Sequence, residues 1–521
     1  MRKTFRTISA AAILLLAPVL FATDVTTYHN DIARTGQNLH ETTLNLKNVN
    51  SSSFGKLFTM AVDAKIDAEP LYLSGVTVSG STHNVLYAVT ENDSAYAFDA
   101  DTGAQLWKAS LLESGESVPG DLNCNQITPQ IGITSTPVID RNTGPNGTIY
   151  VVAMSVDSSG NYHQRIHALD ITTGAEEFSG PVEVQAQYPN KKGFTTFDAE
   201  HYAERAALLL LNGIVYTAWT SHCDHPPYTG WIIGFDASTL QATRILNVTA
   251  NGQHGSIWMA GDGLASDGSN IFFLDANGTF DTTLNAKGFP INGDYGNAFI
   301  KVSTKSGELQ VADYFNMYNT VKESNTDTDL GSGGVIVLPA MTDAKGNTRY
   351  LAVGAGKDTN VYIVDRDDMG KFNPSNNDAL YQELKGVFPA GSFSTPAYFN
   401  GSLYYGPIRG NLRQYKFSNA RLGATPASRS SATYPYPGST PAISANQTAN
   451  GIVWAIEHGS PTAILHAYNA TNLQKELYNS GQAGKRDQIG VASHFGTPMI
   501  VNGKVYVGTD NNVTAFGLLG K

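Results

Sequence analysis

The sequence predicts an all-β fold, an eight-bladed β-propeller whose ring is closed by an N-terminal strand that completes the last blade. The first observation behind this is a repeated phrase. Tyr96-Ala-Phe-Asp-Ala-Asp-Thr-Gly-Ala-Gln-Leu-Trp107 recurs in degraded form as His167-Ala-Leu-Asp-Ile-Thr-Thr-Gly174, Gly234-Phe-Asp-Ala-Ser-Thr-Leu240, Ile363-Val-Asp-Arg-Asp-Asp-Met-Gly370 and Ala467-Tyr-Asn-Ala-Thr-Asn-Leu473. Each copy ends an apolar strand, makes a polar turn and begins another strand. A unit repeated at tens of residues buries its hydrophobic face only against its neighbours. The second observation is that strand signals come in threes: an opening strand with a small-residue-Pro step or a Leu-rich run, a β-rich strand, then the Asp-turn strand. The third concerns the ends. The last unit stops at Gly517 after three strands, while the segment 55–62 precedes the first opening strand without a partner. Pairing the two removes the exposed edges that invite aggregation.

Taken in order, opening strands are expected at 68–73, 133–139, 205–211, 256–261, 333–338, 394–399, 440–444 and 496–501. Second strands are expected at 85–90, 149–153, 215–219, 271–274, 350–354, 403–406, 453–456 and 505–508. Seven blades is the runner-up count, because in the fourth unit Gly and Asp interrupt the apolar pattern. Residues 23–54 form an N-terminal arm, and 55–518 the propeller. Residues 1–22 carry a basic start, an apolar stretch from Ala10 to Phe21 and a small residue at Ala22. That is the pattern of a secretory signal peptide, too short for a spanning helix. A secreted or periplasmic, monomeric protein without a transmembrane segment is expected.

The net charge of −11, with no basic run, argues against nucleic acid and anionic membranes as partners. Only Cys124 and Cys223 are available in an oxidising compartment, and one disulfide between neighbouring blades is the plain reading. No Cys-x-x-Cys-His is present, which excludes covalently attached haem c. His222-Cys223-Asp224-His225 has metal-binding residue types, but neighbours on a strand face opposite ways, so all four cannot converge without a loop. His201 and Arg205 lead into a Leu-rich run, from which Arg205 can point into the central funnel and grip a carboxylate.

The Asp-x-x-Thr-Gly-x-x-x-Trp turn resembles the repeat of the pyrroloquinoline quinone (PQQ) propellers, the quinoprotein alcohol dehydrogenase-like superfamily. A closer resemblance runs from the third blade to the fifth. His254-Gly-Ser-Ile-Trp258, followed by Asp275-Ala-Asn277-Gly, is similar to the dehydrogenase stretch in which a Trp lies under the quinone and an Asn binds calcium. Thr326-Asp-Thr-Asp329 falls where the family has its catalytic Asp, and Gly356-Lys357 resembles a strand that contacts the quinone. The resemblance therefore implies Asp329 as catalytic base, Trp258, Lys357 and Asp67 as quinone-binding residues, and Asn277, Asp224 and Asp329 as calcium ligands. Ile66-Asp67-Ala-Glu69 offers two acids for the blade-one position, and Asp224 sits one residue out of the family's register.

The residue types suit such chemistry. A flat quinone needs an apolar face, and calcium takes oxygen ligands. An alcohol with a pKa of roughly 15.7 is not deprotonated outright by an Asp near ~3.9; that would cost about 16 kcal/mol at roughly 1.36 per unit. Proton removal has to be concerted with hydride loss. The pattern also departs from the family. Two adjacent Cys give way to Cys124-Asn125, the family's Asn-Trp pair to Phe393-Ser394, and only five Trp serve eight blades. The implied function is a PQQ- and calcium-dependent dehydrogenase acting on a small alcohol or sugar. Competing readings are a non-catalytic propeller that binds a protein or glycan partner, and a carbohydrate-active enzyme using the same funnel.

Overall fold

The Asp of each repeated phrase explains the strand turns that build the ring. Asp99 Oδ1 accepts from the backbone N–H groups of Asp101 and Thr102, and Asp170 Oδ1 from those of Thr172 and Thr173. Asp236, Asp365 and Asn469 each accept from the N–H two residues on. A short carboxylate or amide that satisfies the turn backbone ends one strand and starts the next. The computed structural model describes residues 23–520, and the predicted signal peptide lies outside them.

Eight sheets of four or five strands, largely antiparallel, form the ring. Blade one consists of Leu71–Val78, Ser81–Thr90, Ser94–Asp99 and Gln105–Ser110. In blade eight, Phe54–Ala61 pairs antiparallel with Asn512–Leu518, so the ring closes as the unpaired 55–62 segment predicts. One expected strand is misplaced. In blade four, 256–261 is an irregular segment ending in the short 3₁₀ turn Met259–Gly261, and the opening strand is Ala265–Ser266. Among the described residues no helix is long and apolar enough to cross a membrane.

The core lies between blades, as the repeat requires. Trp107 packs its ring on Gly174 of blade two and donates its indole N–H to Ile171 O at 3.1 Å. A Cβ at Gly174 would come within 2.7 Å of that ring, and its φ of +71° already favours glycine. Four tyrosines on second strands repeat one bond to the next blade's turn. Tyr506 donates to Ala100 O, Tyr87 to Ile171 O, Tyr150 to Ala237 O and Tyr404 to Ala470 O, at 2.7–3.0 Å. Part of the tyrosine content is thereby accounted for by blade-to-blade stapling.

The arm is the second organising element. It runs along the opening strands and reaches every blade. Val25 pairs with Tyr72, and the carbonyls of Thr26, Ile32, Ala33, Thr35 and Gly36 accept from Ile139, Ser266, Val337, Tyr398 and Ile443. Arg34 reaches Leu208 O in blade three, and Asn38 Nδ2 reaches Ile500 O in blade eight. Arg34 is wholly buried, and its guanidinium also meets Leu264 O, Thr27 Oγ1 and Tyr28 O.

Candidate functional site

The approaches to the opening strands of successive blades converge on one cavity of about 440 Å³. Ile131, Arg205, Trp258, Asp329, Phe393, Tyr436 and Phe495 each lie a few residues before the opening strand of blades two to eight, and all line it. Asn277 and Lys357 reach it from the ends of second strands in blades four and five. Five of the six sequence-predicted site residues, Asp224, Trp258, Asn277, Asp329 and Lys357, therefore share one cavity. Asp67 occupies the corresponding blade-one position but does not line it; it is buried beside Glu91. The alternative acid, Glu69, turns to the arm and accepts from the backbone N–H of His29 at 2.8 Å.

At the centre of the site, Lys357 Nζ is 2.6 Å from Asp329 Oδ1 and 2.7 Å from Asp327 Oδ1. Trp258 Nε1 donates to Asp329 Oδ2 at 3.1 Å, and Asn277 Nδ2 donates to Asp327 Oδ1 at 3.0 Å. Burial pushes the Asp329 carboxyl above its usual range, with the Lys357 ammonium opposing the shift. Burial pulls Lys357 down, but the charges of Asp329 and Asp327 outweigh it and leave the ammonium above its ordinary value. Asp224 accepts from the Tyr228 hydroxyl at 2.7 Å and joins the others only as a lining group.

An aromatic wall surrounds this pair. Phe393 and Phe495 lie parallel, 6.3 Å apart, and both are tilted against Trp258 with centroids at 5.7 and 6.0 Å. Cys124 and Cys223 form the predicted disulfide and line the same cavity. His222 is also there, almost buried, with Nε2 unpartnered; burial lowers its pKa to about 4. Backbone strain gathers at the cavity as well: Asn125, Cys223, Asp224, Asp327 and Phe495 all have φ between +49° and +68°. Non-glycine residues in that region cost about 1–3 kcal/mol each and persist where surrounding structure enforces them, often at functional sites.

Sequence reasoning missed Phe495. Its signal is a shared phrase, Phe393-Ser-Thr-Pro396 and Phe495-Gly-Thr-Pro498, each placing Phe three residues before an opening-strand Pro. His201 stays outside the cavity, near Asp198. Of the His222–His225 run only His222, Cys223 and Asp224 reach it.

The donor set fits the two implied cofactors unequally. A flat quinone meets an aromatic wall, a buried carboxylate and an ammonium in a space of suitable size. Calcium takes six to eight oxygens, whereas Asn277 Oδ1 is the buried, unpartnered oxygen among the predicted ligands not already engaged by Lys357, Trp258 or Tyr228. Among the described residues no three His, Cys, Asp or Glu side chains group as a metal site. These residues do not form a preassembled calcium cage.

The chain folds as an eight-bladed β-propeller, and part of it matches a PQQ-like repeat. Residues 33–183 match the PQQ_2 family model, described as outer membrane protein assembly factor BamB. The fold is similar to quinohemoprotein alcohol dehydrogenase from Comamonas testosteroni, with TM-score 0.64 and 15% identity over 96% of this chain and 81% of that one. The quinohemoprotein alcohol dehydrogenase ADHIIG from Pseudomonas putida HK5 gives 0.63 and 13%, over 96% and 81%. A europium-containing methanol dehydrogenase gives 0.58 and 13%, over 95% and 98%. At these identities the likeness concerns the fold. No curated protein matches the chain significantly in sequence.

Proposed function

We propose that the chain is an exported quinone-dependent dehydrogenase that oxidises a small alcohol or sugar hydroxyl in this cavity, with Asp329 accepting the hydroxyl proton. The observation that carries this reading is the Trp258–Asp329–Lys357 constellation, in which a buried carboxylate is oriented by an indole N–H and an ammonium. A bound quinone would supply a two-electron acceptor for the hydride. Trp258 would hold its plane, Lys357 would keep the Asp329 carboxylate ionised and oriented, and Phe393 and Phe495 would exclude water from the reacting carbon. A carboxyl raised by burial is a better proton acceptor near neutral pH than a solvated one. No step is assigned to calcium.

A second reading, a non-catalytic propeller binding a protein partner, is favoured by the match of residues 33–183 to the assembly-factor model. The two separate on reconstitution with PQQ, with and without calcium. The dehydrogenase reading expects a melting shift of about 2.7 kcal/mol in stability at a hundredfold excess over Kd, and dye reduction with alcohols or sugars. Asp329→Asn should keep the shift and lose turnover by about 10²–10⁴. No shift at saturating quinone would leave the binding-protein reading in its place.

A further inference from the structure

The cavity contains a buried positive charge that the redox reading does not use. Arg205 is 6% exposed, and Nη1 donates to Thr134 O. No carboxylate pairs with it among the described residues. Its nearest acid in sequence, Glu204, turns to the sheet, where its Oε1 accepts from Ala218 N. Burial raises Glu204 to about 8, so it supplies little negative charge at neutral pH. The Arg205 guanidinium lies over the ring of Phe495, 5.6 Å from its centroid, and Phe495 itself is held at a φ of +68°.

A buried guanidinium is stable only when paired or fully hydrogen-bonded. Arg34, equally buried in the same molecule, meets four protein oxygens. Arg205 meets one, and it faces a cavity. A planar fork with open N–H donors at a cavity wall fits a carboxylate. His222 adds a neutral imidazole with a free Nε2, suited to a hydroxyl. Asp224, Asp327 and Asp329 also line the cavity, so one carboxylate at Arg205 is better accommodated than several.

We propose that Arg205 docks the carboxylate of a small hydroxy acid, such as a sugar acid, whose hydroxyls face His222 and Asp329. The docking does not depend on the redox reading; only the fate of the hydroxyl rests on it. The test is therefore binding to quinone-free protein. Melting shifts are measured with gluconate and galacturonate against glucose and galactose, on the wild type and on Arg205→Lys and Arg205→Gln, each with its unliganded melt as reference.

The expected result is a shift with the acids and little with the neutral sugars, weakened at least tenfold in apparent Kd by Arg205→Lys and lost in Arg205→Gln. Equal shifts from acids and neutral sugars would overturn the proposal, as would acid binding retained in Arg205→Gln. No acid binding, together with quinone binding that Arg205→Gln weakens, would also overturn it and assign the anion to the quinone. Acid binding that gives no dye reduction after PQQ is added would support the docking while counting against the dehydrogenase reading.

Discussion

Arg34 and Arg205 are both almost wholly buried, and the difference between them separates the two working parts of this propeller. Arg34 sits in the arm with its guanidinium spread over main-chain and side-chain oxygens from Thr27, Tyr28, Leu208 and Leu264. Arg205 sits at the cavity with a single protein bond. The arm uses its main-chain groups to tie the blades together and leaves Asn30 Oδ1 as its one buried side-chain oxygen without a partner among the described residues. The cavity retains unmatched donors and acceptors, strained backbone and an aromatic wall. Unmatched polar capacity on a cavity wall is the feature on which the proposed binding rests.

The contrast is most easily broken with the arginines themselves. Arg34→Met should lower unfolding stability by about 3–5 kcal/mol, because it strands buried partners. Arg205→Met should change it by no more than about 1 kcal/mol, since it removes an unpaired charge. Urea unfolding of both variants checks this, and equal losses would erase the distinction.

The second effect is on pH dependence. Burial raises Glu69 and Glu204 to about 8 and Asp262 to about 7, above their unfolded values. The stability these groups contribute is complete only below their unfolded values near ~4 and is lost as pH rises from there through 7–8. His222 and His458 are lowered to about 4, again by burial, so their contribution is present above about 6.5 and is lost as pH falls below it. Below about pH 6.5 the two sets oppose each other, and above it only the carboxyl loss remains, so the melting temperature should fall most steeply between about pH 6.5 and 8. Glu69→Gln together with Asp262→Asn should flatten the alkaline limb. The smallest effect concerns the inter-blade staples: Tyr87→Phe should cost about 1 kcal/mol, with no change in ligand binding at the cavity.

The ring was legible in the sequence because its signals are local. The Asp turns, the small-residue-Pro steps and the apolar second strands each fit within ten residues, and the unpaired 55–62 segment announced the closure. Blade four misled because Ile257-Trp-Met-Ala260 is an apolar run, and periodicity cannot separate a buried strand from a buried irregular segment. In fact that run carries Trp258 into the cavity. Of the residues the resemblance singled out, Trp258, Asn277, Asp329 and Lys357 line one cavity, whereas Asp67 lies beside Glu91. The arm's role was invisible, because it consists of main-chain bonds between residues far apart in sequence, such as Gly36 with Ile443. Nor could residue types alone show that Arg205 has one hydrogen-bond partner while Arg34 has four.

The account stands or falls on whether the cavity holds a planar ligand against Trp258. A fluorescence titration with PQQ tests this directly. Saturable quenching that disappears in Trp258→Phe, while the variant keeps the wild-type unliganded melt, is the predicted result. Absence of quenching, or quenching unchanged in Trp258→Phe, would contradict it.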